Sequence, residues 1–217
     1  MKTNKDLEVI IPFNRSIYLN GILNVPADTQ RMVIFVHGSG SGRLSPRNQK
    51  IANSLNNANF ATLLFDLLTS DEDVLDEMTR EYRFNIPLLI SRLEATTNWV
   101  LSQPEFKRFN IGYFGASTGA AAALIAAAQN NNTIKAVVSR GGRADLAEEA
   151  LPFVEAPTLL IVGGNDREVI KLNEIAMSAM RCINQLEIIP GATHLFEEPG
   201  KLDEVALLAI AWFERFL

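Results

Sequence analysis

From residue 31 onward the chain repeats one arrangement: a short apolar run, then a stretch of helical character, then another apolar run. The runs are RMVIFV (31–36), ATLLFD (61–66), NIGYFG (110–115), IKAVVSR (134–140), PTLLIVGG (157–164) and QLEIIPG (185–191). Strands apolar along their whole length need cover on both faces, and the intervening helices supply it. Helices are predicted over 46–57, from about Arg83 to Leu101 with Pro87 in the first turn, over Thr118–Gln129, briefly near Asp145, over Glu168–Met180 and over Leu202–Phe216. Two earlier runs, LEVIIPF (7–13) and SIYLNGILNVP (16–26), are separated by so little that they predict an antiparallel hairpin. The fold class is therefore α/β: an eight-stranded, mostly parallel sheet with an N-terminal antiparallel hairpin and helices on both faces. Right-handed crossovers put every parallel strand's C-terminal end on one edge. The acidic stretch SDEDVLDE (70–77) reads as a solvated loop leading into a helix, and the connection from Gly141 to Ala156 is too short for a large lid.

A chain of 217 residues fits one such domain, 1–217, and is short for two. Hydrophobic residues make up 47% and charged residues 21%, which supports a sizeable core and argues against disorder. The net charge is -5 and no basic stripe stands out, so nucleic acid is not expected as a partner. The single cysteine, Cys182, cannot close an intrachain disulfide, which suits a reducing compartment. One cysteine and two histidines are too few for a zinc site of the usual kind, so no metal or other cofactor is expected. The leading MKTNKDLEVIIPF is too interrupted by charge for a signal peptide. No run approaches the roughly 18 to 20 apolar residues of a membrane span. The expectation is a soluble, cytoplasmic protein.

The stretch IGYFGASTGAAAAL (111–124) brackets Ser117 between Gly115 and Gly119, at the junction of a predicted strand and a predicted helix. A strand that turns sharply into a helix holds its apex residue in a strained conformation. The residues two before and two after then come too close to neighbours to carry side chains. Such a turn lifts the serine hydroxyl clear of the sheet and sets it at a helix N-terminus, where developing negative charge is favoured. The plainer reading is an N-cap serine near ordinary turn glycines.

A serine becomes a nucleophile only when a base takes its proton. His194, in PGATHLFEEPG after the last strand, lies on a loop able to reach over the serine and is the predicted base; the alternative is a surface histidine. Asp166, directly after the seventh strand in LLIVGGNDREV, is the predicted carboxylate that orients His194, against the simpler role of capping the next helix. Glu197 and Glu198 are nearby rivals in a solvated turn. The order Ser117, Asp166, His194, each just beyond a separate parallel strand, is that of a hydrolase triad on this topology. The loop VIFVHGSGSGR adds backbone N–H groups for an oxyanion, with Ser39 and Thr118 as the predicted donors. His37 and Gly38 are assigned to shaping that loop.

The same loop imitates a dinucleotide fingerprint, with Asp66 as the distal acid. Its glycines fall at 38, 40 and 42, however, and Arg43 stands where the third glycine is needed. Asp66 is more simply a strand-end residue bonding loop backbone. Arg140 and Arg143 after the sixth strand, and Arg43 beyond the glycine loop, are candidates to hold a substrate carboxylate or phosphate, against solvated or ion-paired arginines. Arg47 belongs to the same group, and Arg140 is the strongest because it emerges directly from a strand end.

In VHGSGSGR, GASTG, GGND and GATHLF, in that order and across nearly the whole chain, the sequence resembles the α/β-hydrolase superfamily and within it the dienelactone hydrolase-like group. The resemblance implies the α/β-hydrolase fold without a large lid and hydrolysis of ester-type bonds. It makes Ser117 the nucleophile, Asp166 the acid and His194 the base. Dienelactone hydrolases proper carry cysteine at the elbow where this chain has Ser117, so a serine esterase is implied and a dienelactone substrate is not. The function expected is hydrolysis of a carboxylester, lactone or thioester of a small soluble substrate through an acyl-enzyme. Alternatives are an acyltransferase on the same residues, or a silent binding domain on a hydrolase scaffold.

Overall fold

Eight strands form one sheet in the order β1-β2-β4-β3-β5-β6-β7-β8 in a computed structural model that describes residues 6–217. They are β1 (Leu7–Pro12), β2 (Tyr18–Asn24), β3 (Arg31–Val36), β4 (Ala61–Phe65), β5 (Asn110–Ala116), β6 (Ile134–Arg140), β7 (Thr158–Gly163) and β8 (Asn184–Ile189). β1 and β2 form the antiparallel hairpin, and β2 joins β4 antiparallel. From β4 across to β8 every pairing is parallel. The helices are α1 (Pro46–Asn57), α2 (Ser70–Thr79), α3 (Ile86–Ser102), α4 (Thr118–Gln129), α5 (Arg167–Ala179) and α6 (Lys201–Phe216), with a 3₁₀ segment over Ala144–Phe153. Met1–Lys5, where the reading of the leading segment begins, lie outside the described residues.

The alternation of side chains along each strand divides the core into two layers. Val33, Phe35, Phe114, Ala136 and Val138 face α1 and α6, packing on Ile51, Leu55, Val205, Trp212 and Phe213. Met32, Ile34, Tyr113 and Val137 face the other way, toward Leu93 of α3, Ala123 and Ala127 of α4 and Ala176 of α5. α4 is buried on almost every side. Its run of alanines lets it lie close to the sheet, and alanine is the best helix former.

The sequence reading fails in one place of consequence. Residues 70–77 are not a loop but most of α2. Thr69 Oγ1 accepts from the Glu72 N–H and Glu72 returns a bond to the Thr69 N–H, a reciprocal cap, and three acids sit in the first turn. α3 starts at Ile86 and not near Arg83, because Asn85 caps it and Pro87 occupies its first turn. The short helix near Asp145 is a longer 3₁₀ segment interrupted at Glu148. Among the described residues, no helix is long and apolar enough to cross a membrane.

Candidate active site

Ser117 stands between β5 and α4 with φ 50° and ψ −124°. A non-glycine residue held there costs roughly 1–3 kcal/mol. The flanking glycines are steric requirements. A Cβ on Gly115 would lie 2.6 Å from the Cα of Ala120, and one on Gly119 would collide with the carbonyl oxygens of Val36 and His37. Ser117 occupies the N-cap position of α4, yet its side chain makes no capping bond. The plain N-cap reading of this serine therefore does not hold.

Asp166 repeats the pattern. It occupies the N-cap position of α5 and makes no side-chain capping bond. Its Oδ2 is instead 2.6 Å from Nδ1 of His194. The Asp166 side chain is 17% exposed and the His194 ring 40%. The His194 loop is tied back by Glu198, whose Oε1 accepts from the Thr193 N–H and hydroxyl. Glu197 pairs with Arg47 at 2.7 Å. Both glutamates are surface charges, as the sequence reading has them, and among the described residues neither bonds the His194 ring.

Ser117 and His194 flank the same turn. The Ser117 N–H donates to the Arg140 carbonyl at 3.3 Å. A Cβ on the following Gly141 would lie 3.5 Å from Cε1 and Nδ1 of His194. Among the described residues, no hydrogen bond joins the Ser117 hydroxyl to the imidazole.

The glycine loop after β3 rests against the elbow. Ser39 Oγ donates to the Arg83 carbonyl at 3.2 Å and lies 3.0 Å from Thr118 Oγ1, so the two predicted oxyanion donors are adjacent. Thr118 is the first residue of α4, where a backbone N–H has no intrahelical acceptor. His37 is buried; its Nδ1–H donates to the Gly38 carbonyl at 2.9 Å and its Nε2 accepts from the Leu67 N–H at 2.8 Å. Burial holds its pKa below the ordinary 6.5, so the neutral ring serves as a brace.

A second support of the glycine loop was missed in the sequence. Asp76, in α2, is fully buried. It accepts from the N–H groups of Tyr82 and Arg83 at 2.7 and 3.0 Å and from Nε of Arg83 at 2.6 Å. Burial alone raises a carboxyl's pKa, but these bonds and the Arg83 charge outweigh it, and the net shift is downward. Asp76 thus fixes Arg83, whose carbonyl holds Ser39. The Thr69-x-x-Glu72 capping pattern was the available signal for this helix.

A cleft of about 510 Å³ opens beside the loop, lined by Gly40 to Arg47, Asp66, Leu68, Asp73 and Val74 among others. Neither Ser117 nor His194 lines it; the glycine loop that lines it at Gly40 to Gly42 packs against Ser117 at Gly38. Of the predicted substrate arginines, Arg43 is ion-paired with Asp66, which also accepts the Arg43 N–H at 2.7 Å. Arg143 makes a bidentate pair with Asp145 at 2.9 and 2.8 Å, and this hydrogen bonding raises its pKa. Arg140 is buried and has no carboxylate partner among the described residues.

Comparison with known proteins bears on the fold and the family. A dienelactone hydrolase from Anabaena variabilis is 50% identical, with a TM-score of 0.96 over 99% of each chain. Est1E from Butyrivibrio proteoclasticus shares the fold at 16% identity, with a TM-score of 0.80 over 96% of this chain and 98% of its own. A protein of Mycobacterium tuberculosis that carries the provisional name phosphoribosyl transferase is 54% identical over 193 residues. The match takes in 89% of this chain but only 43% of that protein, so the chain spans under half the length of this curated relative. The model of the dienelactone hydrolase family matches residues 19–215. With its mostly parallel sheet, antiparallel entry hairpin and strand-to-helix turn at Ser117, the chain has the α/β-hydrolase fold and belongs to the dienelactone hydrolase family.

Proposed function

We propose that the protein is a serine hydrolase of ester-type bonds, acting as a single cytoplasmic domain on a small soluble substrate. Ser117 Oγ attacks the acyl carbon as His194 Nε2 takes its proton. Asp166 holds His194 in the tautomer with Nδ1–H and stabilises the imidazolium. The carbonyl oxygen, now an oxyanion, accepts from the N–H groups of Ser39 and Thr118. His194 then protonates the leaving group, the acyl–oxygen (or acyl–sulfur) bond breaks, and an acyl-enzyme remains. Water repeats the sequence and releases the acid and free serine. The observation that carries this reading is the pairing of Asp166 with His194 at 2.6 Å, beyond β7 and β8, at the sheet edge where β5 ends in a strained serine.

An acyltransferase would use the same residues with another acceptor in place of water. The provisional transferase name of the mycobacterial relative belongs to a protein more than twice as long, so it adds little to that reading. The test is labelling with a fluorophosphonate, followed by turnover of short acyl esters, lactones and thioesters. Wild type labels and hydrolyses; Ser117→Ala abolishes both, and His194→Ala lowers both by roughly three orders of magnitude or more. Undiminished labelling of Ser117→Ala would move the nucleophile elsewhere.

A further inference from the structure

The turn that follows β6 touches both Ser117 and His194. The Arg140 carbonyl accepts from the Ser117 N–H at 3.3 Å, and the Arg143 N–H donates to the Ser117 carbonyl at 3.0 Å. Residues 140–143 thus hold the strained serine by both of its backbone groups. On the other flank, Gly141 packs on His194. A Cβ at Gly141 would lie 3.1 Å from the His194 carbonyl oxygen and 3.5 Å from the ring. At Gly142 a Cβ would collide with Ser139 Oγ. In so close a fit, a shift of this turn displaces the serine and the imidazole relative to one another.

Two bonds besides those to the serine hold the turn. The Gly141 N–H donates to the Ile161 carbonyl of β7 at 2.7 Å. The Gly142 carbonyl accepts from Nδ2 of Asn173 at 2.8 Å, the one side-chain bond to the backbone of residues 140–143 among the described residues. Asn173 lies on the buried stripe of α5 with Val169 and Ala176, two helical turns after Asp166. One helix therefore carries both the carboxylate paired with His194 and the amide that holds the turn packed on it. Stability does not account for an asparagine here. The residue is fully buried. Nδ2 also donates to the Val169 carbonyl at 2.8 Å, so both neighbours are acceptors and the nitrogen has to face them. Oδ1 is left without a partner among the described residues. A buried acceptor with no donor is a net cost that an apolar side chain of similar shape avoids. What such a side chain gives up is the hold on Gly142.

We propose that Asn173 is a positioning residue for Ser117 and His194: its amide pins the 140–143 turn and so sets the approach of the imidazole to the serine hydroxyl. It touches no reacting atom and acts only through that pair. The inference rests on the hydrolase reading above, because it gives the pair its chemistry.

The test is a double-mutant cycle read by the rate of fluorophosphonate labelling, at a temperature well below the melting of every variant. Asn173→Leu lowers the rate about tenfold in the otherwise wild-type protein, and kcat for 4-nitrophenyl acetate falls in step while KM is little changed. In protein already carrying His194→Ala, whose slow labelling is followed for longer, Asn173→Leu changes the rate by less than about twofold, because the approach it sets no longer exists. Asn173→Thr gives a second measurement should Asn173→Leu fail to fold. Its hydroxyl bonds the Val169 carbonyl within the helix and gives up only the bond to Gly142, so the same loss and the same dependence on His194 are expected. Labelling and kcat at wild-type levels, with only the melting temperature lowered, would overturn the proposal. An equal loss with and without His194 would overturn it as well, since that marks a general loosening of the fold. Wild type that labels while the Asn173 variants keep its rate refutes the positioning role alone. Wild type that does not label refutes the hydrolase reading and the positioning role with it.

Discussion

The residues proposed as oxyanion donors are held by a relay of single residues that begins at a distance from the serine. Asp76 fixes Arg83, Arg83 fixes Ser39, and Ser39 lies against Thr118. Asp76 touches no reacting atom and is a positioning residue. Asp76→Asn keeps the shape but loses the charge and one acceptor, so the Ser39 N–H shifts. The expected result is a fall in kcat of about tenfold with KM little changed, and slower fluorophosphonate labelling in parallel. Asp76→Glu recovers part of the loss. If kcat and labelling stay at wild-type levels while only stability falls, the relay does not reach the site. Ser117, Asp166 and His194 could be singled out as candidates because each residue type falls just beyond a strand end. Asp76 was not legible, since a buried carboxylate and an exposed one look alike in DEDVLDE until the chain is folded.

At the level of elements, α2 shows how an acidic segment that buries Asp76 and exposes its apolar side chains becomes ordered. Its capping box closes the N-terminus, and Glu72 also accepts a bidentate bond from Arg92 of α3, with both contacts at 2.6 Å. Burial pushes the Glu72 pKa up, but the Arg92 and Thr69 bonds outweigh it and hold it below the ordinary value. Thr69→Ala removes one cap bond and is expected to cost about 1 kcal/mol, read as a shifted urea midpoint at unchanged m-value. Because α2 carries Asp76, the same variant should speed hydrogen exchange at Tyr82 and Arg83. The strands and the other helices followed from apolar runs and periodicity. α2 did not, because its exposed Val74 and Met78 give no inward-facing stripe to read, and capping is a signal of only a few residues.

Across the whole molecule, the parallel strands deliver Ser117, Asp166 and His194 to one edge, so the architecture and the placement of the candidate site were legible together. What the sequence could not supply was which buried arginine the fold would leave without a carboxylate: Arg92 has Glu72, and Arg140 has none among the described residues. Global stability also carries a mark of the site. Folded, His37 binds its proton less readily than the ordinary 6.5 because it is buried. Below about pH 6.5 the unfolded chain takes up a proton that the folded chain refuses, so stability falls as the solution is acidified toward the lowered value; above 6.5 the contribution is complete. The melting-temperature gap between wild type and His37→Gln is therefore expected to narrow from pH 7 to pH 5. A gap that stays constant would mean His37 is not the group responsible.

Helices α4 and α5 each begin at a residue well suited to seal a helix end, and in both cases the side chain is turned away from that task. On the proposed hydrolase reading, selection for heat resistance alone should therefore drift toward variants that relieve these two ends and hydrolyse nothing. A screen for robust versions of this protein needs turnover as a second gate, or it will enrich durable, inert scaffolds.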